Sequence, residues 1–146
     1  MSTTIRTMSI TDYEAVLQLM QETPGVSVRD ADSREATARY LERNPGLSFV
    51  ASAPDGRLLA CIMSGHDGRR GYLQHLVVRP ELRRQGIANR LVAHCLQGLA
   101  ALGIQKSHVD VLRSNELAQV YWASQGWQRR DDIHRYSLVR GGGANA

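Results

Sequence analysis

Apolar positions along the chain alternate between a helical and a strand period. Ala15, Val16, Leu19 and Met20 recur at helical spacing, so residues 12–22 read as a helix. Thr11-Asp12-Tyr13-Glu14 has the form of a capping box at its start, and Pro24-Gly25 stops it. Thr4–Met8 ahead of it is a short strand. After the polar, irregular Val26–Ala31, a second helix begins near Asp32, where Glu35 completes another box, and runs to Asn44 before Pro45-Gly46. Leu47–Ala53 and Leu58–Ser64 flank the turn Pro54-Asp55-Gly56 and form a hairpin. Gly65–Gly71 is a second tight connection, and Tyr72–Val78 is the next strand. Residues 86–102 form the longest helix, with Ile87, Leu91, Val92, Cys95, Leu96, Leu99 and Leu102 on its apolar stripe and Gly103 beyond it. Lys106–Leu112 reads as a strand and Asn115–Gln125 as a helix ended by Gly126. Trp127–Arg130 and Ile133–Val139 read as two further strands, and Gly141–Ala146 as a disordered tail.

Strands first form a meander, and a helix then joins two strands that lie parallel. The expected fold is α+β or mixed α/β, a mostly antiparallel central sheet covered by helices on both faces, in one domain over residues 1–140 with 141–146 as tail. A chain of 146 residues buries roughly two-thirds of its unfolded surface.

Charge and special residues narrow the function classes. The net charge of +4 is nearly all arginine, since Lys106 is the only lysine. That balance suits an anionic ligand. The basic residues are scattered without interleaved aromatics, which argues against nucleic-acid binding. No apolar run approaches the ~20 residues that span a bilayer, and MSTTIRTMSITD lacks a signal-peptide core, so a cytoplasmic protein without membrane association is expected. Cys61 and Cys95 stand in apolar segments without metal-ligand or C-x-x-C spacing. They read as buried, reduced thiols, and no metal site is expected.

The stretch Leu76–Leu91 carries the chemistry. An apolar run ends in Arg79-Pro80, a basic loop follows, and Gly86-Ile87-Ala88 opens a helix. The first N–H groups of a helix have no internal partner, and the macrodipole adds partial positive charge there. Small residues at Gly86 and Ala88 let an anion approach, and Arg83 and Arg84 add full charges, so a phosphate or pyrophosphate is the expected occupant. Neither a P-loop nor G-x-G-x-x-G is present.

What is present, Arg83-x-x-Gly86-x-Ala88 after a strand, resembles the acetyl-CoA loop of the Gcn5-related N-acetyltransferase (GNAT) superfamily, Q/R-x-x-G-x-G/A. The element order β-α-α-β-β-β-α-β-α-β-β is similar to that superfamily over nearly the whole chain. Small bacterial members are similar also in Asn44–Ala51 (NPGLSFVA), Gly65–Gly71 (GHDGRRG) and the W-x-x-R-D-D of Trp127–Asp132.

The resemblance implies acetyl-CoA as cofactor. Its pantetheine arm would pair with Leu76, Val77 and Val78 at a strand bulge, as an added strand does. Its pyrophosphate would sit on the loop from Arg83 through Arg84, Gln85, Gly86, Ile87, Ala88 and Asn89. The reaction implied is direct attack by a primary amine in a ternary complex, with the Val77 N–H stabilising the oxyanion. The superfamily pattern places Asn, then Ala three later, Tyr seven later and Gly four beyond. Asn115, Ala118 and Gly126 match, but Trp122 holds the Tyr position and Tyr121 sits one residue earlier. An indole N–H is a donor and not a usable acid. Tyr121 is therefore one candidate acid, with water protonating the thiolate as the alternative and Trp122 shaping the thioester pocket. Asn115 reads either as a cofactor contact or as a helix N-cap. Relatives often place a base Glu on the central strand. Here that strand offers Tyr72, Gln74 and His75, of which His75 is the candidate base, against base catalysis through ordered water. The segment Val26–Arg34 corresponds to the loop that closes over acceptors. His66, Asp67, Arg69, Arg70, Asp131 and Asp132 read as turn and loop charges.

The expected acceptor is a small-molecule amine, acted on by a monomer or homodimer. A peptide N-terminus, as for the ribosomal-protein acetyltransferases that the Arg83–Ala88 loop resembles, is the alternative. A non-catalytic acyl-CoA-binding module and a thiol enzyme using Cys61 or Cys95 are the readings from other classes.

Overall fold

The computed structural model describes residues 2–146, which divide into two compact units, one reaching to Val109 and the other Asp110–Ala146. The first unit holds a five-stranded sheet in the order β1-β2-β3-β4-β5. Its strands are β1 (Thr4–Thr7), β2 (Phe49–Ser52), β3 (Leu58–His66), β4 (Gly71–Val78) and β5 (Ser107–Val109). Neighbours run antiparallel except β4 and β5, which are parallel. The expected mixed, mostly antiparallel sheet is present.

Helices cover both faces of β3, which explains its unbroken apolar run: every residue from Leu58 to Gly65 is buried. On one face Val50, Cys61, Met63 and Val77 pack with Val16, Leu19 and Met20 of α1 (Tyr13–Gln21). Tyr40 and Leu41 of α2 (Arg34–Arg43) close the edge of that cluster. On the other face lies α3 (Ile87–Ala101), where His94 rests 5.1 Å from the Phe49 ring. Leu96 and Leu102 fall outside the buried stripe.

Two helix starts differ from the sequence expectation. The box at the first helix is made by Ser9 and Asp12, not Thr11 and Glu14: the Ser9 N–H donates to Asp12 Oδ2 at 2.9 Å after a 3-10 turn, Ile10–Asp12. Asp12 is drawn there by a two-pronged hydrogen bond from Arg6, at 2.8 and 2.9 Å. The second helix is capped by Ser33, whose Oγ accepts from the Ala36 N–H at 3.1 Å. Asp32 is thereby displaced into the 3-10 turn Asp30–Asp32 and released for other work.

In the second unit, α4 (Glu116–Ser124) begins at Asn115, whose Oδ1 accepts from the Ala118 N–H at 3.1 Å. The strands expected over Trp127–Arg130 and Ile133–Val139 are absent, and the strand expected over Lys106–Leu112 shrinks to β5. A strand needs a partner for its backbone groups. Without one, Tyr136 and Leu138 stay 91% and 86% exposed. Among the described residues no helix is long and apolar enough to cross a membrane.

Candidate active site

The site begins with a slip in backbone register. Cys61 faces Val77, but Met63 faces Gln74, so His75 and Leu76 together stand opposite Ile62 alone. This is a β-bulge, which bends its strand and re-aims a side chain. His75 pays for it locally, with φ at +52° in a region that L residues avoid at a cost of roughly 1–2 kcal/mol. Its carbonyl accepts from the Cys61 thiol at 3.4 Å.

Beyond the bulge β4 loses its other neighbour. β5 pairs only with Gly71–Leu73, so among the described residues no strand covers the far edge of 74–78. Backbone groups alternate sides along a strand. Arg79 donates its N–H to Leu59 of β3 at 3.0 Å, and counting back by two puts the Val77 N–H on the β3 side, where it meets the Cys61 thiol. Val78 therefore faces the open edge. Leu76 shares a trans peptide with the His75 carbonyl, so its N–H points away from Cys61.

The bulge also aims the His75 side chain. Its Nε2 lies 2.7 Å from Asp32 Oδ1, with the two side chains only 18% and 13% exposed. The Arg29 N–H donates to Asp32 Oδ2 at 2.9 Å, and the Tyr13 hydroxyl donates to the Asp32 carbonyl at 2.7 Å. Burial works to raise the Asp32 pKa, but the hydrogen bonds from His75 and the Arg29 N–H, with the charge interaction at His75, hold it below the usual carboxylate range. An ionised carboxylate only accepts, so Nε2 of the imidazole carries a hydrogen and donates it to Asp32.

His75 and Asp32 line a cavity of about 460 Å³, the size of a small-molecule site. Ala31, Met63 and Gln74 contribute to its wall, and α2 lays Ala36, Thr37, Arg39, Tyr40 and Arg43 along it. The Tyr40 hydroxyl is buried without a hydrogen bond in reach. Burial raises its pKa, and Gln74 lies near enough to oppose that rise without closing a bond. Gly65 makes room here, since a Cβ on it would sit 2.8 Å from that hydroxyl.

The basic loop follows β4 through a 3-10 turn, Pro80–Leu82. Arg79 is structural, donating to the Leu58 carbonyl at 2.9 Å and pairing with Glu22 at 3.3 Å. Arg84 at φ +64° and Gly86 at φ +81° turn the chain into α3, whose first N–H groups, those of Ile87 and Ala88, have no acceptor within the helix. No acidic residue stands in the first turn of α3, and a Cβ on Gly86 would meet nothing within 4 Å. The exposed Arg83 and Arg84 form no ion pair among the described residues. An open strand edge leading to an unobstructed, positively biased helix N-terminus fits a pantetheine arm ending in a pyrophosphate.

The remaining sequence candidates have local structural partners of their own. Asn115, Tyr121 and Trp122 belong to the second unit. Trp122 is 7% exposed and meets Trp127 edge to face at 4.8 Å, and burial raises the Tyr121 phenol's pKa. Asn115 is occupied as the cap of α4. Asp67 ties its own turn by accepting from the Arg69 and Arg70 N–H groups at 2.8 Å each, and Asp131 and Asp132 pair with Arg129 and Arg130. Burial pushes the Cys61 thiol up to about 12 and the Cys95 thiol to about 11, which suits neither to nucleophilic work. Sequence reasoning missed Asp32, Arg39, Tyr40 and Arg43. Asp32 stands 43 positions from His75 and carries an apparent helix-start signal, so no local pattern points to the pairing.

A splayed strand followed by a donor-rich loop at a helix N-terminus is the arrangement expected of an acyl-CoA-dependent transferase. The chain matches the model of the acetyltransferase (GNAT) family over residues 13–127, and it belongs to that family. It is an acyltransferase with acetyl-CoA as donor. An acetyltransferase of Photorhabdus laumondii, plu1384, is 33% identical over 92% of this chain and 91% of its own length. The PaiA N-acetyltransferase of Thermoplasma acidophilum, solved with coenzyme A, superposes with a TM-score of 0.80 at 22% identity, covering 91% of this chain and 94% of that one. A ribosomal-protein alanine N-acetyltransferase of Escherichia coli gives a TM-score of 0.70 at 24% identity over 86% of this chain and 77% of that one. These two structures share the fold.

Proposed function

We propose that residues 1–140 act as one acetyltransferase domain that transfers the acetyl group to a primary amine of a small molecule, by direct attack in a ternary complex. The observation that carries this reading is the Asp32–His75 pair, aimed by the β4 bulge into a cavity beside the open strand edge.

Acetyl-CoA supplies an activated thioester. Leu76 and Val78 offer backbone groups to the pantetheine arm, and the loop from Arg83 to Asn89 holds the pyrophosphate through N–H groups and the two arginines. Leu76 donates its N–H to the carbonyl oxygen as charge develops there. It replaces Val77 in that role, because the Val77 N–H is turned to Cys61. His75 Nδ1 takes the proton from the acceptor's ammonium, and Asp32 holds the ring and its tautomer. As the amine nitrogen bonds to the carbonyl carbon it gives up its second proton to water, the C–S bond breaks, and its electron pair passes to sulfur. Water protonates the thiolate, a fair leaving group, so an acid at Tyr121 adds about 10²-fold or less.

Calorimetric titration with CoA, followed by thiol release from acetyl-CoA across a panel of amines, tests the reading. Binding with release supports it. Binding without release on any amine leaves a non-catalytic acyl-CoA-binding module, and absence of binding removes the assignment of Leu76–Leu91. The likeness to the ribosomal-protein alanine enzyme keeps a peptide N-terminus as second acceptor class, read out by adding Ala- and Ser-initiated peptides to the panel.

A further inference from the structure

Resting on the acetyltransferase reading above, we propose that the acceptor carries an anionic group beside its amine, a carboxylate or phosphate seated on Arg39 and Arg43. The two arginines stand one helical turn apart on α2, and both line the cavity that holds Asp32 and His75. Arginine on a helix surface is ordinarily solvated or paired. Both are exposed, and although Glu35 and Glu42 share the helix, neither Arg39 nor Arg43 forms an ion pair or hydrogen bond among the described residues, which leaves both guanidinium forks open to a ligand. By contrast Arg34, at the start of α2, is engaged by Glu14 at 3.8 Å and by the Tyr13 ring at 5.8 Å.

A second, independent observation comes from the wall between them. Tyr40 lines the same cavity, and its buried hydroxyl closes no hydrogen bond, with Gln74 approaching it without completing one. A buried polar atom left unpaired is costly, and it signals a ligand or water that completes it. Its phenolic hydrogen is a donor, as are the guanidinium forks, so this end of the cavity presents donors and positive charge. The only carboxylate lining the cavity is Asp32, at the His75 end. The lining is therefore polarised, negative where the amine must meet His75 and positive along α2. Such a wall holds a zwitterionic amine lengthwise and repels a polyamine, whose second ammonium would lie against two guanidinium groups. The volume of about 460 Å³ suits a small amino acid or aminoalkyl phosphate.

The test uses four amines matched in size: β-alanine, its neutral amide, aminoethyl phosphate and putrescine. Binding of each to the CoA-saturated protein is measured by calorimetry, and thiol release from acetyl-CoA is measured alongside. The expected result is affinity for β-alanine or aminoethyl phosphate at least about 10-fold above the amide and putrescine, falling to near parity in Arg39→Gln/Arg43→Gln. The ratio between β-alanine and aminoethyl phosphate tells carboxylate from phosphate. Preference for the amide or putrescine overturns the proposal, as does a charge preference that survives the double substitution. Anion-selective binding without thiol release supports it while removing the catalytic reading on which it rests, and release without anion selectivity does the reverse. Arg39→Lys/Arg43→Lys, which keeps charge and loses the fork, restores part of the preference if the arginines act as anion ligands.

Discussion

On the proposed reading, the donor half and the acceptor half of this site are built by opposite means. The donor half is backbone: the bared edge of β4, the left-handed turns at Arg84 and Gly86, and the first N–H groups of α3. Its parts follow one another along the chain, with Arg83 and Arg84 alone adding side-chain charge to the backbone donors. The acceptor half is side chain: Asp32 from the turn before α2, Tyr40 and the arginines from α2, and His75 from β4. Backbone groups tolerate sequence change and hold one ligand chemistry. Side chains on α2 can be exchanged singly without disturbing the sheet, so acceptor choice can drift while the donor stays constant.

The comparison is broken most sharply at Gly86. Gly86→Glu sets bulk and negative charge where the pyrophosphate is read to lie, on a residue at φ +81°. Calorimetry should show CoA affinity lost by about 10³-fold or more while circular dichroism reports a folded chain, because the Cβ itself meets no neighbour. Unchanged affinity in a folded variant would sink the donor assignment.

Next come the acceptor side chains. His75→Ala should lower kcat by about 10²- to 10⁴-fold with CoA affinity intact, the range for loss of a general base. Asp32→Asn should lower kcat by about 10²-fold and displace the acid limb of the kcat/KM profile, because an amide can present its N–H to Nε2 and invert the tautomer. A purely structural Asp32 would instead lower stability and leave the profile in place. Tyr121→Phe should cost less than either, at most about 10²-fold in kcat. A loss matching that of His75→Ala would restore Tyr121 as the acid.

The smallest effect concerns the frame that both halves share. Hydrogen bonding to Arg6 holds the Asp12 carboxyl below its ordinary value of 3.8, against burial that raises it. A carboxyl whose folded pKa is depressed contributes stability that is present above its unfolded value and lost as pH falls through the folded one. Asp12→Asn should therefore be less stable than the parent by roughly 1–2 kcal/mol near neutral pH, with the half-exposed Arg6 discounted for solvent screening. The gap should close below about pH 3.8, and thermal melts across pH 2–7 read it directly.

Legibility in the sequence divides along the same line. Arg83, Gly86 and Ala88 lie within six residues, so their spacing alone placed the donor loop between a strand and a helix. The strand Tyr72–Val78 was legible from its apolar run, but the bulge within it was not. A bulge is a mismatch between two strands, and its register against Cys61 and Met63 appears only once β3 is laid beside it. The capping boxes at Thr11 and Asp32 are displaced because Asp12, tied to Arg6, boxes with Ser9, while Ser33 caps α2 and Asp32 is held by His75 from 43 positions away. The alternation of Ile133–Val139 was read as a strand, yet alternation describes a surface ready to pair and does not supply the partner.

Local spacing thus determined the order of elements as far as α4, the sheet core and the family resemblance, since each depends on neighbours within a few residues. Tertiary structure decided where the His75 side chain points, that the Val77 N–H turns inward, and that Asp32 rather than a carboxylate on the strand accompanies His75. Those outcomes depend on register and on contacts across dozens of positions, where a single slip of one residue re-aims every side chain after it.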